Sequence, residues 1–524
     1  MKRQLNFAMR GLVTDLPPES VPEGYWSDGE NVYEKDLSIR RVGGYGTYAV
    51  TGFLGGNPIF ILPVETATDA YWIYVHVAGG VVSVGLTNGG THWDITPTPA
   101  ITASSGTAIG TWTGTVLNGV PVVNNQVDEP WYWDGNTGNP LTQLPGWPAN
   151  QFCRSIRSYR NHLFALGVTD GGVVYPDRID WSDSAASGTI PTSWTAGPTT
   201  DAGDNDLGDT EGGVIDGAKL RDSFVIYKNY STTLCTFVGG NFIFSFRDSP
   251  SISTGAQSQN CIAESQGFHY VFTGDDVIRH DGQTAVSICT DTIRNELVSS
   301  IDPDVFEQVL VTARHLTDEV WICIPEIGSI TGYLTAAFVY NTKTERWGKR
   351  KLPGVTHIDF GIVGDETAVT TWNPDTEAWN DDVTQWNAAS YSESAAEILM
   401  TDHANTRLLV VDRLETDAGT EVMAYVQRIG LPIEPMQRIK YVNECWPNII
   451  GEAGQEFQVS IGGQLNYQDP VNWYPPVTFT LGDQPAKIDC WVAGRYISVQ
   501  FKTTSGKVWR IYGFRLTISD KGRY

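Results

Sequence analysis

The residues that could do chemistry in this chain are scattered and form no catalytic motif. No H-E-x-x-H, G-x-S-x-G or complete P-loop occurs in the 524 residues, and Gly506-Lys507 lacks the upstream glycine that a P-loop needs. His280 precedes Asp281, but neighbouring residues on a strand point to opposite faces, so the pair forms no dyad without a bulge. We predict no catalytic residue and no enzyme activity.

The candidate metal ligands give no recognisable site. None of the seven cysteines belongs to a C-x-x-C pair, and several lie in apolar runs, so we predict buried free thiols. The acidic loop 201–209 places its glycine and carboxylates at the wrong positions for an EF-hand, although an irregular calcium site stays open as an alternative. We expect no bound metal and no cofactor.

Three Trp-Asn pairs raise the question of carbohydrate binding. They are spaced by seven residues, at Trp372-Asn373, Trp379-Asn380 and Trp386-Asn387. Pro374 and paired acids argue against a helix, so we interpret the pairs as short strands or turns whose indoles pack together. The alternative is a sugar-binding platform in a propeller-type glycan-binding or glycan-hydrolysing protein, with Glu377 and Asp382 as candidate acid and base. The sequence does not distinguish these two carboxylates from the many others.

Five apolar runs end on an aromatic or acidic residue followed by a turn, which is how short outer strands finish. They are Trp131 to Gly135, Ile179 to Asp183, Val277 to Gly282, Ala337 to Asn341 and Leu408 to Asp412. Asp-Gly and Asn supply the positive φ of tight hairpins. The wide gap between the second and third endings predicts a degenerate unit around 242–246. Repeats of about 40 to 50 residues with four short strands are typical of propeller blades.

Length and composition indicate an all-β protein with more than one domain. The chain has 524 residues, 41% of them apolar, which is too long for a single hydrophobic core. Its 54 glycines and 27 prolines indicate many turns. Two short helices are predicted, one beginning at Asp291 and one with Asp302 as N-cap before Pro303. We predict an irregular β-propeller with an additional β-sandwich-like platform domain.

Alternating apolar residues near the C-terminus define the second domain. Tyr512, Phe514, Leu516 and Ile518 lie at every second position, as on a strand with one buried face. We therefore assign 51–419 to the propeller-like domain and 420–524 to a C-terminal β platform.

The charge distribution is strongly uneven. A net charge of -25 argues against sequence-independent DNA binding over the whole surface. The stretch 365–421 is acidic, whereas the last thirty residues are basic; both could be solvated faces or could meet in neighbouring copies of an assembly. No apolar run is long enough to span a membrane and no secretory signal is evident, so we expect a protein made in the cytoplasm.

Two blocks of the sequence resemble the tail nozzle or hub proteins of short-tailed bacteriophages. The first includes Leu16-Pro17-Pro18, the run from Tyr25 to Tyr33 and the run from Leu37 to Gly43. The second extends from Asp216 to Lys228 and continues through Phe237 to Gly240, Ser251 to Ala256, Phe268 to Val271, Arg279 to Gly282 and Val320 to Pro325. Together the blocks cover roughly residues 10 to 50 and 210 to 355.

The resemblance implies a non-enzymatic virion component assembled in the bacterial host cytoplasm. Such proteins form a homo-hexameric ring in the tail below the portal and adaptor, contact tail fibres or spikes, and continue the channel for genome ejection. Double-stranded DNA would pass through without specific binding. In this family the chain ends lie together, which implies that residues 1–50 join the platform.

The resemblance also suggests where the charges lie. Because lysine or arginine side chains in the bore would bind the phosphates of DNA, we expect acidic residues to face the lumen. The candidates are Asp204, Asp206, Asp209, Asp381 and Asp382. The candidate ring or adaptor interface is basic and comprises Lys2, Arg3, Arg10, Arg510, Arg515, Lys521 and Arg523.

Overall fold

The computed structural model describes residues 2–48, 53–66, 69–102, 109–240, 242–249, 251–329, 332–363 and 396–521. Nearly all regular structure in these ranges is β, which confirms the predicted class. The N-terminal segment contributes five strands. They are β1 (Lys2–Ala8), β2 (Asp28–Glu30), β3 (Val32–Lys35), β4 (Ser38–Arg41) and β5 (Gly44–Tyr48).

Five antiparallel four-stranded sheets, blades 1 to 5, follow in chain order. Blade 1 comprises β6 (Asn57–Glu65), β7 (Ala70–Ala78), β8 (Val81–Thr87) and β9 (His92–Asp94). Blade 2 comprises β10 (Thr113–Leu117), β11 (Val120–Asn124), β12 (Trp131–Tyr132) and β13 (Thr142–Gln143). Blade 3 comprises β14 (Gln151–Tyr159), β15 (His162–Asp170), β16 (Val173–Trp181) and β17 (Gly203–Asp206). Blade 4 comprises β18 (Val214–Leu220), β19 (Ser223–Lys228), β20 (Thr232–Phe237) and β21 (Phe244–Asp248). Blade 5 comprises β22 (Ile262–Ser265), β23 (Phe268–Phe272), β24 (Val277–His280) and β25 (Ala285–Ser287).

The two predicted helices connect blade 5 to the next sheet. Helix α1 (Arg294–Ser300) is followed by a 3₁₀ helix (Pro303–Gln308), and a further 3₁₀ turn (His315–Thr317) comes later. The Asp302 side chain accepts a hydrogen bond from the backbone N–H of Asp304, and Pro303 opens the 3₁₀ helix. The predicted N-cap is confirmed.

Blades 6 and 7 share one long strand. Blade 6 contains β26 (Leu310–Arg314), β27 (Glu319–Ile324), β28 (Leu334–Asn341) and the first half of β29 (Arg346–Ile362). The second half of β29 begins blade 7, which adds β30 (Ala396–Asp402), β31 (Arg407–Leu414) and β5. Residues 44–48 thus complete a propeller blade, although the sequence assigned all of 1–50 to the platform.

The first strands of the blades form a closed ring. Strands β6, β10, β14, β18, β22, β26 and the second half of β29 contact one another in this order, and β29 contacts β6. Aromatic side chains fill the space between blades, as where Phe60 of blade 1 stacks near Trp112, whose ring centroid lies 6.3 Å from that of Trp131. The described residues therefore form a seven-bladed propeller.

The platform is a sandwich of two sheets. Its C-terminal strands are β32 (Ala424–Pro432), β33 (Ile439–Gly451), β34 (Glu456–Gln464), β35 (Asn472–Trp473), β36 (Val477–Thr480), β37 (Ile488–Gly494), β38 (Tyr496–Thr503) and β39 (Trp509–Lys521). In one sheet, β1 and β4 share one side of β39, and β33 and β37 follow on its other side. The other sheet has the order β2-β32-β38-β34, with β35 and β36 beside β34.

The N-terminal residues complete the platform core. The fully buried indole of Trp26 packs against Phe501 and Phe514, with ring centroids 6.0 Å apart in both contacts. Because β1, β2 and β4 pair with strands beyond residue 420, most of the propeller is inserted between the two parts of the platform. The predicted sandwich-like second domain is confirmed.

Candidate functional site

The first strands of the blades surround two cavities that lie one behind the other along the propeller axis. The entry cavity, of about 540 Å³, lies where these strands begin and is lined by Arg154, Val214 and the 3₁₀ helix. The inner cavity, of about 320 Å³, lies further along the same strands and is lined by Arg157, Lys219 and Asp359. Both volumes fall in the range of about 300 to 1,000 Å³ that is usual for small-molecule sites.

A buried ion pair lies in the wall of the inner cavity. The guanidinium of Arg157 in blade 3 donates to both carboxylate oxygens of Asp216 in blade 4, from Nε at 2.8 Å and from Nη2 at 2.6 Å. Its Nη1 donates to the carbonyl of Gly114 in blade 2, and Nη2 also donates to the side-chain oxygen of Asn260, beside blade 5. One arginine therefore joins four neighbouring blades.

Hydrogen bonds occupy both oxygens of the Asp216 carboxylate, so this group is not available for a reaction. It also accepts hydrogen bonds from the Ser155 hydroxyl and from the backbone N–H groups of Gly217 and Asn260. Burial alone would raise the pKa of Asp216, but Arg157 and these hydrogen bonds outweigh burial and hold the pKa below its usual value. Asp216 is thus an ionised structural group.

One carboxyl in the inner cavity, that of Asp359, forms no ion pair with the described residues. Burial raises the pKa of Asp359 to about 7, although its oxygen accepts a hydrogen bond from the backbone N–H of Phe360 and Arg157 lies nearby. Burial also lowers the pKa of the neighbouring His357 to about 3, so that imidazole is neutral. Hydrolysis of a glycosidic bond requires a second available carboxylate, and the other acid lining this cavity, Asp216, is saturated.

The acids expected to face a lumen lie far from the propeller axis. Asp204 and Asp206 are on β17, the outermost strand of blade 3, and Asp209 follows it; all three are exposed. In the register of this sheet, Asp204 is opposite Asp180 and Asp206 is opposite Arg178. Asp381 and Asp382 lie outside the described residues, as do Glu377 and the three Trp-Asn pairs.

The structure brings most of the predicted basic residues to one platform sheet. Lys2 and Arg3 are on β1, and Arg510, Arg515 and Lys521 are on its neighbour β39. Arg3 is already used within the chain, since it donates to the carbonyl of Glu434 and lies 3.4 Å from Asp520. The guanidinium of Arg515 lies 5.5 Å from the ring centroid of Trp446. Arg10 follows β1, and Arg523 lies outside the described residues.

All seven cysteines are buried and free, as predicted. Within the described ranges, no group of three His, Cys, Asp or Glu side chains is placed to hold a metal ion. No helix in the same ranges is long and apolar enough to cross a membrane.

The importance of the axial residues was not evident from the sequence. Arg154, Arg157 and Asp359 belong to no motif, and Asp216 is only the first residue of the second resemblance block. A usable signal was the charge of Asp216 directly after the apolar residues Val214 and Ile215 in β18, because a buried charge needs a partner.

Comparisons with known proteins give structural likeness without a family. No protein-family model and no curated protein matches the chain. YCF48 bound to a D1 peptide is 12% identical with a TM-score of 0.36, over 70% of this chain and 97% of that one. The WD40 β-propeller domain of Doa1 is 9% identical with a TM-score of 0.35, over 70% and 96%. Puromycin hydrolase is 12% identical with a TM-score of 0.37, over 75% and 62%. TM-scores this low support no inference about activity, ligand or partner.

Proposed function

We propose that this chain is a structural protein that assembles into a ring, as the tail nozzle or hub of a short-tailed bacteriophage. The ring would be a homo-hexamer in the virion tail, in contact with an adaptor above it and with fibres or spikes. It would conduct the genome during ejection without catalysing a reaction. The observation that carries this proposal is the pair of open edges in one platform sheet.

The two edges belong to β1 and β37, which are seven residues long each. Among the described residues, β1 pairs only with β39 and β37 pairs only with β33. The order β1-β39-β33-β37 is antiparallel throughout, so β1 and β37 run in opposite directions. A neighbouring copy could therefore place its β1 beside β37 as one more antiparallel strand. Such a head-to-tail contact closes into a ring when the rotation between copies permits.

Side chains on these edges also favour contact with another copy. Trp491 on β37 is 74% exposed, and large exposed aromatic residues are typical anchors of protein interfaces. Leu5 and Phe7 on β1 are only partly buried against the platform core, which leaves apolar surface for a neighbour to cover.

The ring bore, rather than the propeller axis, would carry the DNA. The axial cavities have the volume of small molecules, and Arg157 with its partners joins four blades at the wall of the inner cavity. The acids Asp204, Asp206 and Asp209 form an exposed acidic edge. We infer that this edge faces the bore, because carboxylates do not bind the phosphates of DNA. A map of the assembled ring with these acids on its outer surface would contradict that orientation.

Mass photometry of the purified chain tests the assembly. We expect particles of six times the 57.6 kDa chain mass, with a central hole in negative-stain images. Trp491→Lys should yield monomers, because a lysine on an edge strand opposes strand addition. Ile450→Lys is the matched control, since Ile450 is 54% exposed on β33 of the same sheet, beyond the residues 440–445 that pair with β37, and should leave the ring intact. A wild-type monomer at the highest soluble concentration, or an intact ring from Trp491→Lys, would contradict the proposal.

The alternative of a glycan-hydrolysing protein has less support. A glycosidase needs two working carboxylates, and in the inner cavity only Asp359 is free of an ion pair, because Asp216 accepts five hydrogen bonds. Release of reducing sugar from a bacterial surface polysaccharide by the wild type, lost in Asp359→Asn, would favour this alternative.

A further inference from the structure

The entry cavity contains an arginine, Arg154, that forms no ion pair with any residue the structure describes. Arg154 lies on β14, three residues before Arg157, and its half-buried guanidinium lines the cavity. Whereas Arg157 is fully paired, Arg154 has no hydrogen bond or ion pair with any described residue. Burial lowers the pKa of Arg154, and the charges of Glu307 and Asp216 offset this only in part. A partly desolvated guanidinium with free donors is unfavourable until an anion binds it.

The backbone of blade 3 makes room for this side chain. The pairing of β14 with β15 skips Arg154 and Gly167, where β15 also forms a bulge against β16. Gly167 has φ of +65°, and a Cβ there would lie 3.2 Å from Arg154 Cβ and 3.2 Å from the Val214 carbonyl oxygen. Any larger residue would crowd the arginine, so the glycine bulge positions Arg154 between blades 3 and 4.

The rest of the cavity suits hydroxyl groups. Gln308 lines the cavity, and its side-chain amide could form a hydrogen bond with a hydroxyl group of a ligand. The amide of Gln259 and the hydroxyl of Thr169 line the same cavity. Neutral amides and hydroxyls complement hydroxyl groups of a ligand and add no charge.

The charges around the cavity favour a ligand with a single negative charge. Asp304 and Glu307 on the 3₁₀ helix are exposed and line the cavity. These carboxylates would repel a dianion such as phosphate, whereas a monocarboxylate could form a bidentate pair with Arg154.

We propose that the entry cavity binds a small polyhydroxylated monocarboxylate, the chemistry of an acidic sugar, with Arg154 holding the carboxylate and amide side chains holding the hydroxyls. This site is independent of the ring assembly proposed above. It requires no reaction, because binding alone removes the unpaired charge.

Isothermal titration calorimetry of the full chain tests this site with three probes. Glucuronate should bind at least about tenfold more tightly than glucose, which has the same ring without the carboxylate, and than inorganic phosphate. Arg154→Gln should weaken glucuronate binding by about tenfold or more, which matches the loss of one charged pair.

The matched control is Arg160→Gln. Arg160 is exposed in the turn of the same hairpin and does not line the cavity, so its removal should leave glucuronate binding unchanged. The melting temperature of Arg154→Gln should equal or exceed that of the wild type without ligand, which separates lost binding from misfolding. Absence of glucuronate binding, equal binding of glucose or phosphate, or full binding by Arg154→Gln would overturn the proposal.

Discussion

The propeller and the platform differ in the length of the strands at the edges of their sheets. In six blades the outermost strand is two to five residues long, and in the remaining blade it is β29, which continues into the next blade. The platform keeps two seven-residue edges, one of them with a highly exposed tryptophan. Short edges resist pairing with other chains, whereas long open edges invite it. This difference supports the proposal that contacts between copies are made by the platform and not by the propeller.

The polar groups show the same contrast. Arg157 in the propeller uses four acceptor atoms on three residues of neighbouring blades, and Asp216 has five donors. In the platform, Lys487 forms its ion pairs with Glu444 and Asp489 at the surface, where water competes. The propeller should therefore depend on its internal ion pair far more than the platform depends on surface charges.

The largest expected effect is on the axial ion pair. Asp216→Asn leaves the charge of Arg157 buried without a counter-ion, which should lower the free energy of unfolding of the propeller by about 3 to 5 kcal/mol. Denaturant unfolding followed by tryptophan fluorescence measures the change. Asp489→Asn in the platform is the surface control and should leave the midpoint unchanged. If both variants had the same midpoint, the contrast between the two regions would fail.

The second prediction concerns the pH dependence of the propeller. Burial raises the pKa of Asp359 to about 7, above the value of about 3.9 for an unfolded Asp, so the folded state binds this proton more tightly. The stabilising contribution of Asp359 is therefore fully present below about pH 4 and is lost as the pH rises to about 7.

Asp359→Asn imitates the protonated carboxyl and should remove this dependence. A rise of about 3 in the pKa of Asp359 corresponds to about 4 kcal/mol in the free energy of unfolding. We expect roughly half of this value because water reaches the side chain. The variant should exceed the wild type by roughly 2 kcal/mol at pH 8 and equal it near pH 4 in denaturant unfolding. Asp206→Asn, at an exposed site, is the control. A wild type that is more stable than Asp359→Asn at pH 8 would refute the prediction.

The smallest expected effect is in the platform. Arg3 is partly exposed and donates to the Glu434 carbonyl, so Arg3→Ala should lower the free energy of unfolding of the platform by about 1 kcal/mol. Lys2→Ala, at the exposed neighbouring position, should cause no change. If Arg3→Ala lowered the free energy of unfolding as much as Asp216→Asn does, the polar interactions of the platform would be as strong as those of the propeller, and the contrast would fail.

The sequence predicted the repeat well because each blade ends its third strand in a similar way. The endings at Trp131, Trp181, Arg279, Val339 and Val410 all lie on or beside the third strands of blades 2, 3, 5, 6 and 7. The degenerate unit expected around 242–246 also exists as blade 4. Those residues, however, reach into its fourth strand, because the third strand already ends at Phe237.

The axial site could not be predicted in the same way. Arg157 and Asp216 are 59 residues apart, and Asp216 and Asn260 are 44 apart, so no local pattern relates them. They meet only because successive blades place their first strands around one axis. The division of 1–50 between platform and propeller was also hidden, since β5 pairs with β31 more than 350 residues later.

Hydrogen–deuterium exchange on the assembled particle and on the Trp491→Lys monomer tests the central claim most directly. Because β1 and β37 each lack a partner on one side among the described strands, half of their backbone amides should exchange quickly in the monomer and slowly in the assembly. The outer strands of the blades, such as β17 and β21, should exchange alike in both states. Equal exchange of residues 2–8 and 488–494 in particle and monomer, with protection appearing on the blade edges instead, would contradict the account.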